Sequence, residues 1–269
     1  MNHPQVSGNK WWKLKYNLEY ALKKNLTILT FGGAYSNHLY ATAKACNILK
    51  IKSIGVVRGE RTLPLNSTLA YAESCDMKLH YISRRDYKNK GQETVLESLR
   101  DKFGDFYLIG EGGTNDLAIK GCAEWATMLQ NELEFDYVCL AVGTGGTIAG
   151  LSVGLDKSKK IIGIPVLKGA QFLESEIRKY KTKENVKLIY DYHFGGYAKK
   201  NKELLDLISN FESSYSVPFE PIYTGKVMFG VLDLIFKGYF EIGSRVLVLH
   251  TGGLQNFVGN NFNPKFSYF

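Results

Sequence analysis

The chain has 269 residues and a formal net charge of +8. Hydrophobic residues make up 45% and charged residues 22%, which supports a packed core and excludes a disordered chain; at roughly 100–200 residues per domain the length fits one large domain or two modest ones. No apolar run approaches the ~20 residues that span a bilayer, and the lysines are scattered without interleaved aromatics, so the positive charge reads as solvated surface rather than a nucleic-acid face.

The opening residues, Met-Asn-His-Pro-Gln-Val-Ser-Gly-Asn-Lys, have neither the basic n-region nor the apolar h-region of a secretory signal. No strand precedes the first glycine, so the chain is expected to start on a turn. Ser7-Gly8-Asn9-Lys10 leads directly into a helical pattern over Trp11–Lys24, with Trp11, Leu14, Leu18 and Leu22 on one stripe. A lysine after such a turn is usually a surface residue. At a helix start, however, the macrodipole disfavours a cation by ~0.3–1 kcal/mol, which lowers the amine pKa and favours imine formation.

The strand pattern Thr27–Phe31 runs into Gly32-Gly33-Ala34-Tyr35-Ser36-Asn37-His38 and the helical pattern His38–Leu49. Ser and Asn are ordinary N-caps there, but the carboxyl end of a strand is also where α/β proteins bind ligands. Strands Ser53–Arg58, Lys78–Ile82 and Phe106–Ile109 follow, separated by helices Ser67–Ser74 and Thr94–Phe103, and a lobe boundary is expected near Glu111–Thr114 or just after. Helix Leu117–Glu132 and strand Tyr137–Val142 lead to Gly143-Thr144-Gly145-Gly146-Thr147, which opens helix Thr147–Leu155. Glycine N–H groups, threonine hydroxyls and a helix N-terminus together make a phosphate cradle. It lacks the spacing of a Walker loop, and Ile148 breaks the G-x-G-x-x-G pattern, so nucleoside-triphosphate and dinucleotide readings lose support.

Strands Ile161–Val166, Val186–Tyr190 and Arg245–His250 and helices Lys202–Phe211 and Lys226–Lys237 complete the pattern. Two further turns accompany them, Pro221-Ile222-Tyr223-Thr224-Gly225-Lys226 and His250-Thr251-Gly252-Gly253-Leu254. Alone, Tyr223 reads as a core aromatic and Thr224 as an N-cap. Asn260–Phe269 has no period and reads as a tail. Continuous Val/Ile/Leu strands alternating with helices predict an α/β fold with parallel sheets in two lobes. The four cysteines (46, 75, 122 and 139) include no CxxC pair and read as small buried hydrophobes of a reducing, cytoplasmic compartment; the five histidines have no metal-ligand spacing.

An amine nucleophile, a phosphate cradle and polar groups on several strand ends fit a phosphorylated aldehyde cofactor, and pyridoxal phosphate is the obvious candidate.

With these motifs in this order, the whole chain resembles the 1-aminocyclopropane-1-carboxylate deaminase / D-cysteine desulfhydrase family. The matching segments are Ser-Gly-Asn-Lys, Gly-Gly-Ala-Tyr-Ser-Asn-His, Glu-Gly-Gly-Thr-Asn (111–115), Gly-Thr-Gly-Gly-Thr, Tyr-Thr-Gly-Lys and His-Thr-Gly-Gly-Leu. The resemblance implies the two-lobed fold type II of pyridoxal-phosphate enzymes, with parallel-rich sheets flanked by helices. It implies a small lobe over residues 13–120, a larger cofactor-binding lobe from 1–12 and 121–269, and a homodimer acting on a small amino acid. Family members carry a further leading segment before the lysine turn, so the resemblance implies either a start further upstream than Met1 or a protein without those first strands.

The resemblance also assigns roles. Lys10 matches the lysine that carries the cofactor, Asn37 the contact to its phenolic oxygen, and Ser36 the serine near the substrate. Thr144, Gly145, Gly146 and Thr147 match the phosphate loop, and Tyr223 one of two active-site tyrosines. Tyr197, in Phe194-Gly195-Gly196-Tyr197, matches the other on fewer anchors. Thr224 stands where deaminase-type members have Glu beside the pyridine nitrogen, as in desulfhydrase-like members. A carboxylate keeps that nitrogen protonated, whereas a hydroxyl only donates or shares a hydrogen bond. The expected reaction is therefore β-elimination from a substrate with an α-proton and a thiol leaving group, giving pyruvate, ammonia and sulfide. Lys10 would take the α-proton and Tyr223 would position or protonate the thiol. Ring-opening deamination of the cyclopropane amino acid is the enzymatic alternative; a truncated, catalytically impaired cofactor-binding homologue is the non-enzymatic one.

Overall fold

The computed structural model of the protein describes residues 6–180 and 182–254. The tail expected over Asn260–Phe269 lies outside them. The chain divides into two compact units after Leu117, within the first turn of a helix.

The first unit holds α1 (Asn9–Lys24), β1 (Thr27–Gly32), α2 (Asn37–Leu49), β2 (Ser53–Arg58), α3 (Ser67–Ser74), β3 (Met77–Ile82), α4 (Arg84–Lys88), α5 (Glu93–Phe103), β4 (Phe106–Ile109) and a 3-10 turn at Glu111–Gly113. Its sheet has the order β3-β2-β1-β4, parallel throughout, with Ile28 opposite Ser53 and Tyr107. β1 is central and buried on both faces, as its unbroken run Ile28–Phe31 dictates. One apolar cluster sets Val6, Leu14, Leu18 and Ala21 against Ile28, Ala45 and Ile109; a second packs Leu29, Phe31 and Val56 on Leu96 and Leu99 of α5. Residues 1–12 were expected with the larger lobe, yet Val6 and Trp11 pack in this first cluster.

The predicted stripe of α1 needs one correction. Leu14 and Leu18 are buried, but Leu22 is 54% exposed and Ala21 takes the inward position. The α-helix advances 100° per residue, so a strict four-residue step drifts off the buried face by the third turn.

The second unit holds the rest of α6 (Asp116–Glu132), then β5 (Tyr137–Val142), α7 (Gly146–Gly154), β6 (Lys160–Pro165), α8 (Phe172–Arg178), β7 (Val186–Leu188), α9 (Lys202–Tyr215), α10 (Thr224–Phe236) and β8 (Val246–Val248). Its parallel sheet has the order β7-β6-β5-β8. β7 and β8 are the edges and are shorter than the sequence pattern, each extended past its end by a single bond, Ile189 N–H to Gly163 O and Leu249 N–H to Cys139 O, both 2.9 Å. β5 is buried along its whole length, with Val138, Leu140 and Val142 facing one core and Tyr137, Cys139 and Ala141 the other. Among the described residues, no helix is long and apolar enough to cross a membrane.

Candidate active site

In the first unit, Gly8 is the N-cap of α1 with φ 59°, a left-handed conformation that glycine adopts without strain. Lys10 therefore stands in the opening turn, half-buried, and its Nζ donates to Asn9 Oδ1 at 2.9 Å. No acidic residue shares that turn. Ser36 is the N-cap of α2, accepting from Leu39 N–H at 3.2 Å, and Asn37 begins the helix. The turn is tight, because a Cβ on Gly32 would lie 2.8 Å from Ser36 Cβ.

His38 follows Asn37 and is buried. The Thr30 hydroxyl donates to Ile109 O at 2.6 Å, so its lone proton is committed. At 2.9 Å, His38 Nε2 must then be the donor to Thr30 Oγ1, which leaves Nδ1 as a buried lone pair without a partner. Burial, reinforced by the charges of Lys10 and then Lys13, holds this imidazole well below its usual range. Lys13 is itself buried and donates to Gly112 O at 2.5 Å and Thr114 Oγ1 at 3.0 Å, tying α1 to the Glu111–Thr114 motif.

In the second unit, Gly143–Thr147 links the end of β5 to α7. Gly145 caps the helix at φ 81°, and as a glycine it brings no side chain of its own to the first N–H groups. Gly146 and Thr147 are buried and Thr144 is exposed. A Cβ on Gly143 would sit 3.4 Å from Tyr223 Cε1, so the cradle and Tyr223 adjoin. The rings of Tyr197 and Tyr223 meet edge-on at 6.0 Å and 70°. The structure thus brings Thr144–Thr147, Tyr197, Tyr223 and Thr224 together in this unit, while Lys10, Ser36 and Asn37 share the first.

Thr224 opens α10 and is 2% exposed. Its surroundings are set by Glu220, a buried residue the sequence reading passed over. The Glu220 carboxylate accepts from Ile222 N–H and Tyr223 N–H at 2.7 Å and from Thr224 N–H at 2.6 Å. The Thr224 hydroxyl accepts from Glu220 N–H at 3.1 Å, and both acceptors in its reach, Oε1 at 3.2 Å and O at 3.4 Å, belong to Glu220. Burial raises the Glu220 pKa, against these hydrogen bonds. His250, at the end of the last core strand, donates through Nε2 to Pro218 O at 2.9 Å, and burial lowers its pKa. The tetrapeptide Tyr-Thr-Gly-Lys marked the helix start, but nothing local announces that Glu220 serves as its cap from four residues upstream.

The donor types suit pyridoxal phosphate: in the second unit a helix N-terminus behind a left-handed glycine could accept a phosphate, and in the first an amine on a glycine turn could accept an aldehyde.

Comparison with known proteins agrees. The profile of the family described as "Pyridoxal-phosphate dependent enzyme" matches residues 2–252. A Pyrococcus abyssi protein named for 1-aminocyclopropane-1-carboxylate deaminase is 34% identical over 268 residues, 93% of this chain and 81% of that one. The bifunctional D-cysteine desulfhydrase/1-aminocyclopropane-1-carboxylate deaminase, mitochondrial, of Arabidopsis thaliana is 31% identical over 279 residues, 93% of this chain and 69% of that one. A crystal structure of an ACC deaminase homologue superposes with a TM-score of 0.83 at 29% identity, over 94% of this chain and 82% of that one. The chain belongs to the pyridoxal-phosphate dependent enzymes of fold type II, in the group of 1-aminocyclopropane-1-carboxylate deaminases and D-cysteine desulfhydrases, and its chemistry is a cofactor-dependent deamination.

Proposed function

We propose that the protein is a D-cysteine desulfhydrase-like enzyme that eliminates sulfide from a small thiol-bearing amino acid and yields pyruvate and ammonia. The carrying observation is Thr224: a buried hydroxyl, its proton directed to Glu220, stands at the head of α10 where ring-opening relatives have a carboxylate. Pyridoxal phosphate, when bound, supplies the electron sink for the pair left at the substrate α-carbon. The Thr144–Thr147 cradle would hold its phosphate, Asn37 its phenolic oxygen and Thr224 its ring nitrogen, with the hydroxyl proton turned from Glu220 to that nitrogen.

The protein's own groups supply the proton transfers. Lys10, once the incoming substrate amine has displaced it, takes the α-proton. Tyr223 delivers a proton to the departing sulfur, and the edge-on Tyr197 keeps that phenol in place. Ser36 stands beside Asn37 to bind the substrate. Water completes the balance, since cysteine and water together give pyruvate, ammonia and hydrogen sulfide. Four buried thiols outside any disulfide support a cytoplasmic, reducing setting. The homodimer comes from the family likeness; sedimentation should give about twice the 30.3 kDa chain mass.

The test is a substrate panel on the cofactor-loaded protein. D-cysteine should release sulfide and pyruvate, and the cyclopropane amino acid should be turned over at least tenfold less efficiently. Preferential ring opening would overturn the substrate assignment. Lys10→Ala should lose both turnover and the lysine-dependent cofactor absorbance, and retention of both would remove Lys10 from its role.

A further inference from the structure

The Tyr-Thr-Gly-Lys motif ends in a residue that the functional reading does not use. Lys226 is fully buried, in the middle of the inward face of α10 between Thr224 and Val227. An apolar residue on that stripe would avoid the cost of burying an ammonium, which lowers the Lys226 pKa to about 8. A buried charge kept at such a place calls for a task other than stability.

Its hydrogen bonds show the task. Lys226 Nζ donates to His193 O at 2.9 Å and to Gly196 O at 2.8 Å. These carbonyls belong to a turn in unusual conformation: φ is 52° at Phe194, 91° at Gly195, 119° at Gly196 and 58° at Ala198. Phe194 and Ala198 carry side chains that disfavour this region. The turn's own bonds are few, namely Gly195 N–H to His193 Nδ1, Gly196 N–H to His193 O and Lys199 N–H to Gly196 O. α10 also holds the start of the turn: Tyr192 Oη donates to Asp233 Oδ2 at 2.7 Å, and the rings of Tyr192 and Phe194 both lie against Phe229. From α10, Lys226 reaches Gly196, the residue next to Tyr197.

We propose that Lys226 is a positioning residue: its ammonium staples the 193–199 turn to the first turn of α10 and so holds Tyr197 edge-on against Tyr223. One helix then sets both phenols, Tyr223 as its N-cap and Tyr197 through the staple. The functional consequence rests on the reading of Tyr197 and Tyr223 as site residues; the staple does not.

The experiment uses the cofactor-loaded full chain with Lys226→Met, Tyr197→Phe and the double variant. In Lys226→Met, amide exchange at Gly195, Gly196 and Lys199 should accelerate at least tenfold while β5 and β6 keep their protection. KM for D-cysteine should rise about tenfold with cofactor absorbance retained. Adding Tyr197→Phe should then change KM by less than twofold, because the ring is already unplaced. Unchanged exchange at those three amides, or KM effects that multiply, would overturn the proposal. If Lys226→Met does not fold, Lys226→Gln, which keeps N–H donors on a shorter stem, is held to the same criteria. If Tyr197→Phe alone leaves KM unchanged, Tyr197 leaves the site and amide exchange alone decides the staple.

Discussion

At the residue scale, His38 gives the sharpest physical consequence. Its charged form would need an acceptor at Nδ1, and the site offers a buried dead end beside two lysines. The folded protein therefore binds this proton less readily than the unfolded chain, whose histidine titrates near ~6.5. Stability from this group is complete above pH ~6.5 and is lost as pH falls, by up to ~1.4 kcal/mol per pH unit. His250, also depressed by burial, adds to the slope. Denaturant midpoints should decline between pH 6.5 and 5, and His38→Gln, which keeps a donor toward Thr30, should remove about half of that decline. A midpoint that holds flat across the range would contradict the neutral buried imidazole. The sequence shows His38 only as the start of a helix, because its partners Thr30 and Ile109 come from two strands of the folded sheet. The turns that carry Lys10, Ser36 and Asn37, and the glycine loop before α7, were legible because turn chemistry is local. Glu220 and Lys226 were not, since their roles are defined by backbone groups that only the folded chain brings to them.

At the scale of elements, α7 carries almost no amphipathic signal, yet its position was read correctly from the glycine loop before it. It is buried from Gly146 to Ser152. Its fit against α6 depends on two glycines: a Cβ at Gly150 would lie 2.2 Å from Cys122 Cβ, and one at Gly154 2.2 Å from the Ala123 carbonyl oxygen. Gly150→Ala should destabilise the protein by about 1–3 kcal/mol, even though alanine is the better helix former by ~1 kcal/mol. Urea unfolding checks this, and an unchanged midpoint would mean that the helices can separate without penalty. α4 and α8 escaped the sequence reading because they are short. α8 buries only Leu173 and Ile177, one i,i+4 pair in a charged segment that periodicity cannot tell from a loop. The N-cap of α9 is plainer: Asn201 accepts from Leu204 N–H at 3.0 Å, so Asn201→Ala should cost ~1 kcal/mol with cofactor absorbance unchanged.

At the scale of the whole molecule, the composition-based expectation of thiols without disulfides holds. Cys46, Cys75, Cys122 and Cys139 are all buried and none is in a disulfide, and burial pushes Cys46 and Cys139 up to about 12. A thiol reagent at pH 8 should label the native protein slowly and find four groups after unfolding, with the thermal midpoint indifferent to reductant. The strand–helix alternation of both α/β units was legible in the sequence, and the division after Leu117 falls just past the Glu111–Thr114 motif. The order of the second sheet also bears on synthesis. β5 is central, but its partner β8 comes about 100 residues later. At ~5–20 residues per second, the hydrophobic margin of β5 waits on the order of 5–20 s for its neighbour to be made. The strands of the first unit are all translated before that interval starts. The nascent second sheet is therefore the stage at which this polypeptide most needs shielding from its neighbours on the polysome.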